Sequence, residues 1–317
     1  MRARRRIALI GVATAILLLG LEGAARVVAW TLDRERGLAL DPLLGWRPLP
    51  GVEKRGALWG AQHAARTNAL GWRDAPRALA RGPGVRRALL LGDSYVFGVG
   101  VDDGTRVSEA LERELPGLEA WNLGVTGHGP DQALLLLEHC TPDYAPDVVV
   151  WFACLSNDVE DARHELRYGH AKPWFELAGG ELVLHPPAPS LLERLRGASY
   201  LVEAGLAPLD ARRVAHRLAP PWRERDGYEL FGRIAARLAA SARGRGADFV
   251  CVVIPSKVPD HDRRALFELR ARGLEPLELA PVFAASPDRD LYLPDGHWNA
   301  AGHALAAHAL AEWLRAR

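Results

Sequence analysis

The sequence predicts an α/β fold with a parallel, doubly wound sheet of five strands and an inserted cap. Three observations lead to this fold class. From residue 84 onward, apolar segments of strand length alternate with amphipathic helical segments. The segment Asp147–Cys154 is almost wholly apolar, as expected for a parallel strand buried on both faces. Polar, glycine-containing turns follow several strands, where open parallel sheets bind their ligands.

The chain begins with a basic and then apolar segment. Four arginines among the first six residues precede an uncharged stretch from Ile7 to Leu21. That stretch is shorter than the roughly 20 residues needed to cross the hydrocarbon of a bilayer. Extension to Trp30 adds Glu22 and Arg26, one helical turn apart, which can pair or reach the far interface.

We predict that residues 1–30 are a signal anchor in the cell inner membrane. The basic start would stay in the cytoplasm, so a single-pass chain would carry its remaining residues on the periplasmic side. A cleaved signal peptide remains an alternative, with a small-residue site at Gly23-Ala24-Ala25.

Two regions lack the strand–helix alternation. Residues 31–83 contain many Gly, Pro, Trp and Arg residues and are predicted to be an irregular lead-in that includes Thr67–Asp74. Residues 159–225 contain several prolines, including Pro173, Pro186 and Pro187, and interrupt the pattern, and a structureless loop of that length is unusual in a compact domain. We predict an inserted cap with short helices such as Ser190–Leu206.

The remaining elements alternate along the chain. The five predicted strands are Arg87–Leu91, Glu119–Leu123, Asp147–Cys154, Ala247–Ile254 and Arg289–Leu293. The predicted helices between and after them are Thr105–Leu115, Asp131–His139, Tyr228–Ala242, Arg263–Arg272 and Ala300–Arg315.

Residues with the chemistry of serine catalysis follow four of the strands. Attack on an acyl carbonyl needs a nucleophile, a base, an acid that orients the base, and donors to the developing oxyanion. Gly-Asp-Ser alone is more often a turn than a nucleophile. Here all the required groups come at strand ends: Ser94, His297 and Asp295, with donors from Ser94, Gly127 and Asn157.

These blocks resemble the SGNH (GDSL-type) hydrolase family. The similarity comprises Leu-Gly-Asp-Ser at Ser94, Asn-x-x-x-x-Gly at Gly127, Ser-Asn-Asp at Asn157, and Asp295 with His297. It covers about residues 87–317, with 159–225 as an insertion outside it. The resemblance implies a flavodoxin-like three-layer α/β/α hydrolase domain over 84–317. It also implies ester hydrolysis or acyl transfer.

The same resemblance implies a role for each site residue. Ser94 would be the nucleophile, His297 the general base and Asp295 its orienter. Ser94, Gly127 and Asn157 would form the oxyanion hole. The implied substrate is an acyl ester, such as O-acetyl, on a cell-envelope glycan or lipid.

The last block departs from the commonest family spacing, Asp-x-x-His. Asp295-Gly296-His297-Trp298 resembles instead the members that acetylate exported polysaccharides, so an O-acyltransferase is the alternative function. The departure leaves Asp158 and His303 as fallback candidates. Thr67–Asp74 resembles a segment of membrane-anchored members, although packing and turn formation explain it more simply. A glycan-binding protein with a relic site is a third hypothesis, which the complete set of site residues disfavours.

Composition excludes several function classes. The 317 residues include 40 Lys plus Arg and 39 Asp plus Glu, for a net charge of +1. Such a chain has no field to attract nucleic acid, so no nucleic-acid partner is predicted. Three cysteines cannot form a disulfide framework, and the histidines show neither H-E-x-x-H nor metal-type spacing. No metal or other cofactor is predicted.

Overall fold

The computed structural model describes residues 2–31, 37–54, 65–206, 227–255 and 259–317. The strands in chain order are Leu38–Asp41 (β1), Gly45–Pro48 (β2), Glu53–Lys54 (β3), Ala65–Arg66 (β4), Arg86–Leu91 (β5), Leu118–Asn122 (β6), Val148–Ala153 (β7), Leu166–Arg167 (β8), His170–Ala171 (β9), Trp174–Ala178 (β10), Glu181–His185 (β11), Asp248–Val253 (β12) and Leu277–Glu278 (β13).

Helices cover both faces of the central sheet. They are Arg2–Thr31 (α1), Ser94–Phe97 (α2), Val107–Glu114 (α3), Pro130–Leu135 (α4), Leu155–Asp161 (α5), Leu191–Ala198 (α6), Tyr200–Leu206 (α7), Gly227–Gly244 (α8), Pro259–Arg270 (α9), Leu279–Ala285 (α10) and Ala300–Arg315 (α11). A π-helical turn, Leu136–Cys140, continues α4.

The central sheet has five parallel strands in the order β13–β12–β7–β5–β6. Successive residues of a strand point to opposite faces, so the sheet separates two apolar cores. Leu89 and Trp151 belong to the core under α4, α8 and α9, whereas Leu90 and Phe152 belong to the core under α3, α10 and α11. The predicted α/β architecture, with five parallel strands between two helical layers, is confirmed.

The predicted fifth strand, Arg289–Leu293, is wrong. The fifth strand is β13, which pairs with the end of β12. Residues 287–290 are exposed, and the Asp288 side chain accepts a hydrogen bond from the N–H of Asp290 at 2.9 Å. An acidic side chain that bonds the nearby backbone favours a turn over a strand. With only two residues, β13 is too short to produce a recognisable apolar pattern.

The lead-in and the insertion contain more regular structure than the sequence suggests. The described lead-in forms two antiparallel pairs, β1–β2 and β3–β4. The described insertion forms two hairpins, β8–β9 and β10–β11, followed by α6 and α7. The helix predicted over Ser190–Leu206 is broken at Ser199, which has an extended backbone. Residues 207–225 of the predicted insertion lie outside the described residues.

The predicted N-terminal segment is a single long helix. Within α1, Ala3–Ala29 is long and apolar enough to cross a membrane, and the apolar window of that helix contacts no core. By length and composition it fits a membrane anchor or a signal sequence.

Candidate active site

Ser94 lies just beyond the carboxyl end of strand β5 and begins the short helix α2. The chain turns at Gly92, where an added Cβ would lie 2.6 Å from a methyl group of Val96 and 3.3 Å from Phe152, so only glycine fits. Asp93 caps α2, accepting a hydrogen bond from the N–H of Tyr95 at 3.0 Å. The serine hydroxyl is therefore presented on a tightly packed strand-to-helix turn, residues 92–98, which we call the serine turn.

His297 is brought to this hydroxyl from the far end of the sequence. Its Nε2 lies 2.8 Å from Oγ of Ser94. Its Nδ1 lies 3.0 Å from Oδ2 of Asp295, but the carboxylate is out of line with the ring N–H direction, so no aligned hydrogen bond forms. The other carboxylate oxygen, Oδ1, accepts the backbone N–H of His297 at 3.0 Å. The three predicted catalytic side chains are adjacent, with one contact well formed and one imperfect.

Aromatic packing supports the His297 loop. The Tyr95 hydroxyl donates to the carbonyl of Gly296 at 2.9 Å, and its ring lies 5.2 Å from the imidazole of His297. Trp298 is fully buried and packs edge-on against Tyr95 at 4.9 Å between ring centres. The tryptophan of the Asp-x-His-Trp block therefore anchors the loop in the core and does not line the site.

Exposure distinguishes Asp295 from its neighbours. Its side chain is 54% exposed. Partial burial acts to raise the pKa of Asp295, but the backbone N–H of His297 and the nearby imidazole outweigh it and hold that pKa below the ordinary value. Asp295 is thus a solvent-accessible carboxylate, unlike a triad acid enclosed in the protein.

The two predicted oxyanion positions other than Ser94 follow β6 and β7, the two strands that pair with β5. The loop after β6 is joined to the serine turn by a hydrogen bond from the N–H of Val125 to the carbonyl of Gly92 at 3.1 Å. Gly127 lies two residues further on with a φ of +78°, a conformation that favours glycine. Asn157 lies in the first turn of α5, after β7, and its amide Nδ2 donates to Sγ of Cys154 at 3.6 Å.

The fallback candidates have other partners in the structure. The buried Asp158 accepts the N–H of Cys154 at 2.8 Å, at the start of α5. The buried Nδ1 of His303 accepts the N–H of Val107 at 3.2 Å. Burial lowers the pKa of His303 to about 3, and the neighbouring guanidinium of Arg106 acts in the same direction. Both residues support local structure.

Arg73 supports the site, although packing and turn formation alone explain its segment, Thr67–Asp74, when only the sequence is considered. It is fully buried and donates to the carbonyls of Phe97 and Gly98 at the end of the serine turn and of Val101 just after it. Burial lowers the pKa of this guanidinium to about 10, still well above neutral pH. The lead-in therefore supplies a buried cation that fixes the chain on one side of Ser94. The resemblance of Thr67–Asp74 to members of the SGNH family points to this segment, but nothing in its sequence distinguishes Arg73 from the neighbouring residues.

Tyr168 is a second residue that sequence reasoning missed. It occupies the β8–β9 turn with a φ of +52°, which is strained for a residue with a side chain. Its ring packs on Gly127, where an added Cβ would lie 2.8 Å from a ring carbon. The guanidinium of Arg167 lies 4.5 Å from the ring centre and pairs with the buried Asp161 at 2.8 Å. The insertion thus places a 61% exposed aromatic side chain beside a predicted oxyanion position.

Charged groups surround the serine turn below the surface. Burial raises the pKa of Asp93, and it raises the pKa of Asp161 to about 7 against the opposing charges of Arg167 and Lys172.

Within the described ranges, no group of three or more His, Cys, Asp or Glu side chains is arranged to hold a metal ion.

Comparison with known proteins finds similarity only among solved structures. No family model and no curated protein matches the chain. A crystal structure of TesA superposes with a TM-score of 0.44 and 14% identity, over 73% of this chain and 99% of that one. A lipolytic protein of the G-D-S-L family from Veillonella parvula gives 0.45 and 12%, over 72% and 97%.

A third similar structure is a two-domain esterase (CEX) active on acetylated mannans. It superposes with a TM-score of 0.43 and 13% identity, over 73% of this chain and 49% of that one. Similarities this distant carry no conclusion about activity, so the function has to be argued from the geometry of the site.

Proposed function

We propose that the chain is a carboxylic ester hydrolase that uses Ser94 as its nucleophile. The observation that carries the proposal is the 2.8 Å contact between Oγ of Ser94 and Nε2 of His297 at the carboxyl edge of the sheet. A serine hydroxyl is a weak nucleophile until an adjacent base can accept its proton. Two residues so far apart in sequence meet with the geometry that this proton transfer requires.

In the proposed mechanism, Ser94 Oγ attacks the acyl carbonyl while its proton passes to Nε2 of His297. The negative charge on the carbonyl oxygen is stabilised by the N–H groups of Ser94 and Gly127 and by the amide of Asn157. Collapse transfers the proton to the leaving alcohol and leaves an acyl-serine. Water then attacks the acyl-serine by the same route, releasing the carboxylic acid and restoring Ser94.

Asp295 supports His297 in this scheme by attraction to the imidazolium that forms during each step. Its carboxylate also fixes the loop through the backbone N–H of His297. The exposed and unaligned position of the carboxylate makes this contribution smaller than that of a buried triad acid.

The proposed setting is the outer surface of the cell inner membrane. Residues 1–30, most of which belong to α1, would anchor the chain, residues 31–83 would lead in, and residues 84–317 would form the hydrolase domain with its insertion at 159–225. An exported hydrolase held at a membrane meets acylated envelope glycans and lipids, so such an acyl ester is the proposed substrate, with O-acetyl the first group to test.

An O-acyltransferase is the second candidate, favoured by the Asp295-Gly296-His297-Trp298 block. The same acyl-serine would form, but a sugar hydroxyl of an exported polysaccharide would replace water in the second step. The two functions share every residue up to the acyl-serine and differ only in the acceptor.

The test uses the full chain and p-nitrophenyl acetate. Ser94→Ala should abolish turnover, whereas Ser108→Ala, which alters a buried serine of α3, should leave it unchanged. Added oligosaccharide that captures the acetyl group in place of water would identify a transferase. Unchanged turnover in Ser94→Ala would refute the nucleophile assignment and both functions.

A further inference from the structure

Helix α6 carries an apolar face that the described part of the chain does not cover. None of its residues is buried, and its leucines Leu191, Leu192 and Leu195 are 73%, 47% and 46% exposed. Helices this short gain most of their stability from packing an apolar face. Three exposed leucines on one short helix therefore indicate a surface that is covered in the working protein.

The position of this helix indicates what covers it. Glu22 of α1 accepts hydrogen bonds from the Ser199 hydroxyl at 2.7 Å and from the N–H groups of Tyr200 and Leu201 at 3.1 and 3.0 Å. Glu22 is also paired with Arg26 at 2.9 Å. A side chain of the proposed membrane anchor therefore caps the start of α7, directly after α6.

The length of α1 then fixes the depth of this contact. At about 1.5 Å per residue, Glu22 lies roughly 22 Å along the helix from Ile7, the first apolar residue. The hydrocarbon layer is about 30 Å thick. If the N-terminal arginines lie at one boundary of this layer, Glu22 lies inside the layer, several ångströms from the opposite boundary. The hydrogen bonds from residues 199–201 satisfy the Glu22 carboxylate inside the hydrocarbon. Because these residues lie at the junction of α6 and α7, both helices must meet the bilayer.

We infer that α6 is an interfacial helix that lies in the same bilayer surface that α1 crosses. Its leucines would enter the acyl-chain region. The exposed Arg194 would reach phosphate groups, as basic residues beside an apolar helix face commonly do. This inference rests on the proposal that α1 stays in the membrane, and it explains how the Glu22 carboxylate is tolerated within the span.

The interfacial helix is also joined to the candidate site. Glu193 of α6 accepts the N–H of Ala171 at 3.1 Å and contacts the His170 ring at 3.2 Å. Both residues belong to β9, whose hairpin turn holds Tyr168 against Gly127. A substrate bound against Tyr168 therefore lies close to the bilayer, which favours acyl esters held at the membrane surface.

The test measures how deeply α6 enters a bilayer. The full chain, with Cys140→Ser to remove the half-buried thiol, is placed in phosphatidylcholine–phosphatidylglycerol nanodiscs with a spin label at Leu195→Cys. Collisions with oxygen, which concentrates in hydrocarbon, are compared with collisions with a water-soluble nickel chelate. The matched control is Leu79→Cys, equally exposed at 46%, whose carbonyl accepts from Arg87 at the amino-terminal edge of the sheet. A label at Ile16→Cys reports on α1 itself.

The expected result is an oxygen-to-nickel collision ratio at position 195 at least about threefold above that at position 79, and approaching that at position 16. A ratio at 195 equal to that at 79, with position 16 in hydrocarbon, overturns the inference and leaves the anchor intact. A label at 195 shielded from both reagents overturns it in favour of a protein cover. A water-exposed label at 16 refutes the anchor and the inference together. None of these results depends on esterase activity.

Discussion

The serine turn and the histidine loop meet at two hydrogen bonds, Ser94 to His297 and Tyr95 to Gly296, but are built in opposite ways. The serine turn, residues 92–98, is almost entirely buried and is held by side chains from other elements, including the buried cation Arg73. The histidine loop, residues 294–299, is mostly accessible to solvent, and its acid, Asp295, belongs to the loop itself. One half of the site is fixed by the core, and the other half is fixed chiefly by Trp298 and Tyr95.

This difference indicates where the site can tolerate change. A buried guanidinium that bonds three carbonyls cannot be removed without leaving polar groups unsatisfied, which costs stability and shifts the chain around it. An exposed carboxylate acts through water, which weakens its interaction with the imidazole. Substitutions in the serine turn and its supports should therefore have larger effects than substitutions of the acid in the histidine loop.

The largest effect is expected where the two regions touch. His297→Ala should lower kcat for p-nitrophenyl acetate by about 10³-fold or more, because Ser94 loses its base. The double variant with Ser94→Ala should be no worse than either single variant, since the two residues act as a unit. His308→Ala, an exposed histidine of α11, is the control and should retain full activity. Additive losses in the double variant would mean that the two side chains act independently.

A smaller but still large effect is expected at the support of the serine turn. Arg73→Met should lower the free energy of unfolding by about 3 kcal/mol and lower kcat by about 10- to 100-fold, because the carbonyls after Ser94 lose their donor. The measurements are urea unfolding and the hydrolysis rate per folded molecule.

Arg87 provides a matched control for this substitution. It is also fully buried and donates to three carbonyls, those of Ala78, Leu79 and Tyr144, but it lies at the amino-terminal end of β5. Arg87→Met should cost similar stability with kcat of the folded fraction unchanged. An equal loss of kcat in both variants would show that Arg73 acts only through global stability.

Much of the fold could be predicted because its strands are nearly pure apolar runs. Val148–Ala153 and Asp248–Val253 bury both faces, so their sequence pattern is strong and their positions were correct. The edge strand β13 could not be found, since two residues have no periodicity and the sheet order depends on contacts made after folding. The β8–β9 hairpin of the insertion was missed for a related reason: β8 and β9 also have only two residues each.

The candidate site was predictable to a different extent on its two sides. Ser94 and His297 stand in short blocks at strand ends, where sheet topology alone brings residues together. Arg73 and Tyr168 reach the site from the lead-in and the insertion, and their positions depend on tertiary packing that no local pattern encodes. The β8–β9 turn has a positive φ at both Tyr168 (+52°) and Gly169 (+82°), and a sequence-based rule would expect it only at the glycine.

A modest effect is expected at the acid of the histidine loop. Asp295→Asn should lower kcat by only about tenfold, whereas replacement of a buried, aligned triad aspartate costs about 10⁴-fold. The reason is the exposed carboxylate that is out of line with Nδ1. Asp290→Asn, an exposed acid just before the loop, is the control and should leave kcat unchanged. A loss near 10⁴-fold would show that Asp295 aligns with the imidazole once substrate is bound.

The smallest effect is expected for the pH dependence of stability that comes from the buried His303. Burial lowers the pKa of His303 to about 3, whereas an unfolded histidine has a pKa near 6.5. Below pH 6.5 the unfolded chain therefore binds a proton that the folded chain does not, so the free energy of unfolding falls as pH falls, by about 1 kcal/mol per pH unit between 6 and 4. His303→Gln keeps an acceptor for the N–H of Val107 but cannot take a proton. Urea unfolding at pH 6 and pH 5 should show a shallower pH dependence in this variant than in the natural chain. His308→Gln, at an exposed position, should keep the pH dependence of the natural chain. An unchanged pH dependence in His303→Gln would mean that His303 does not contribute to the loss of stability at low pH.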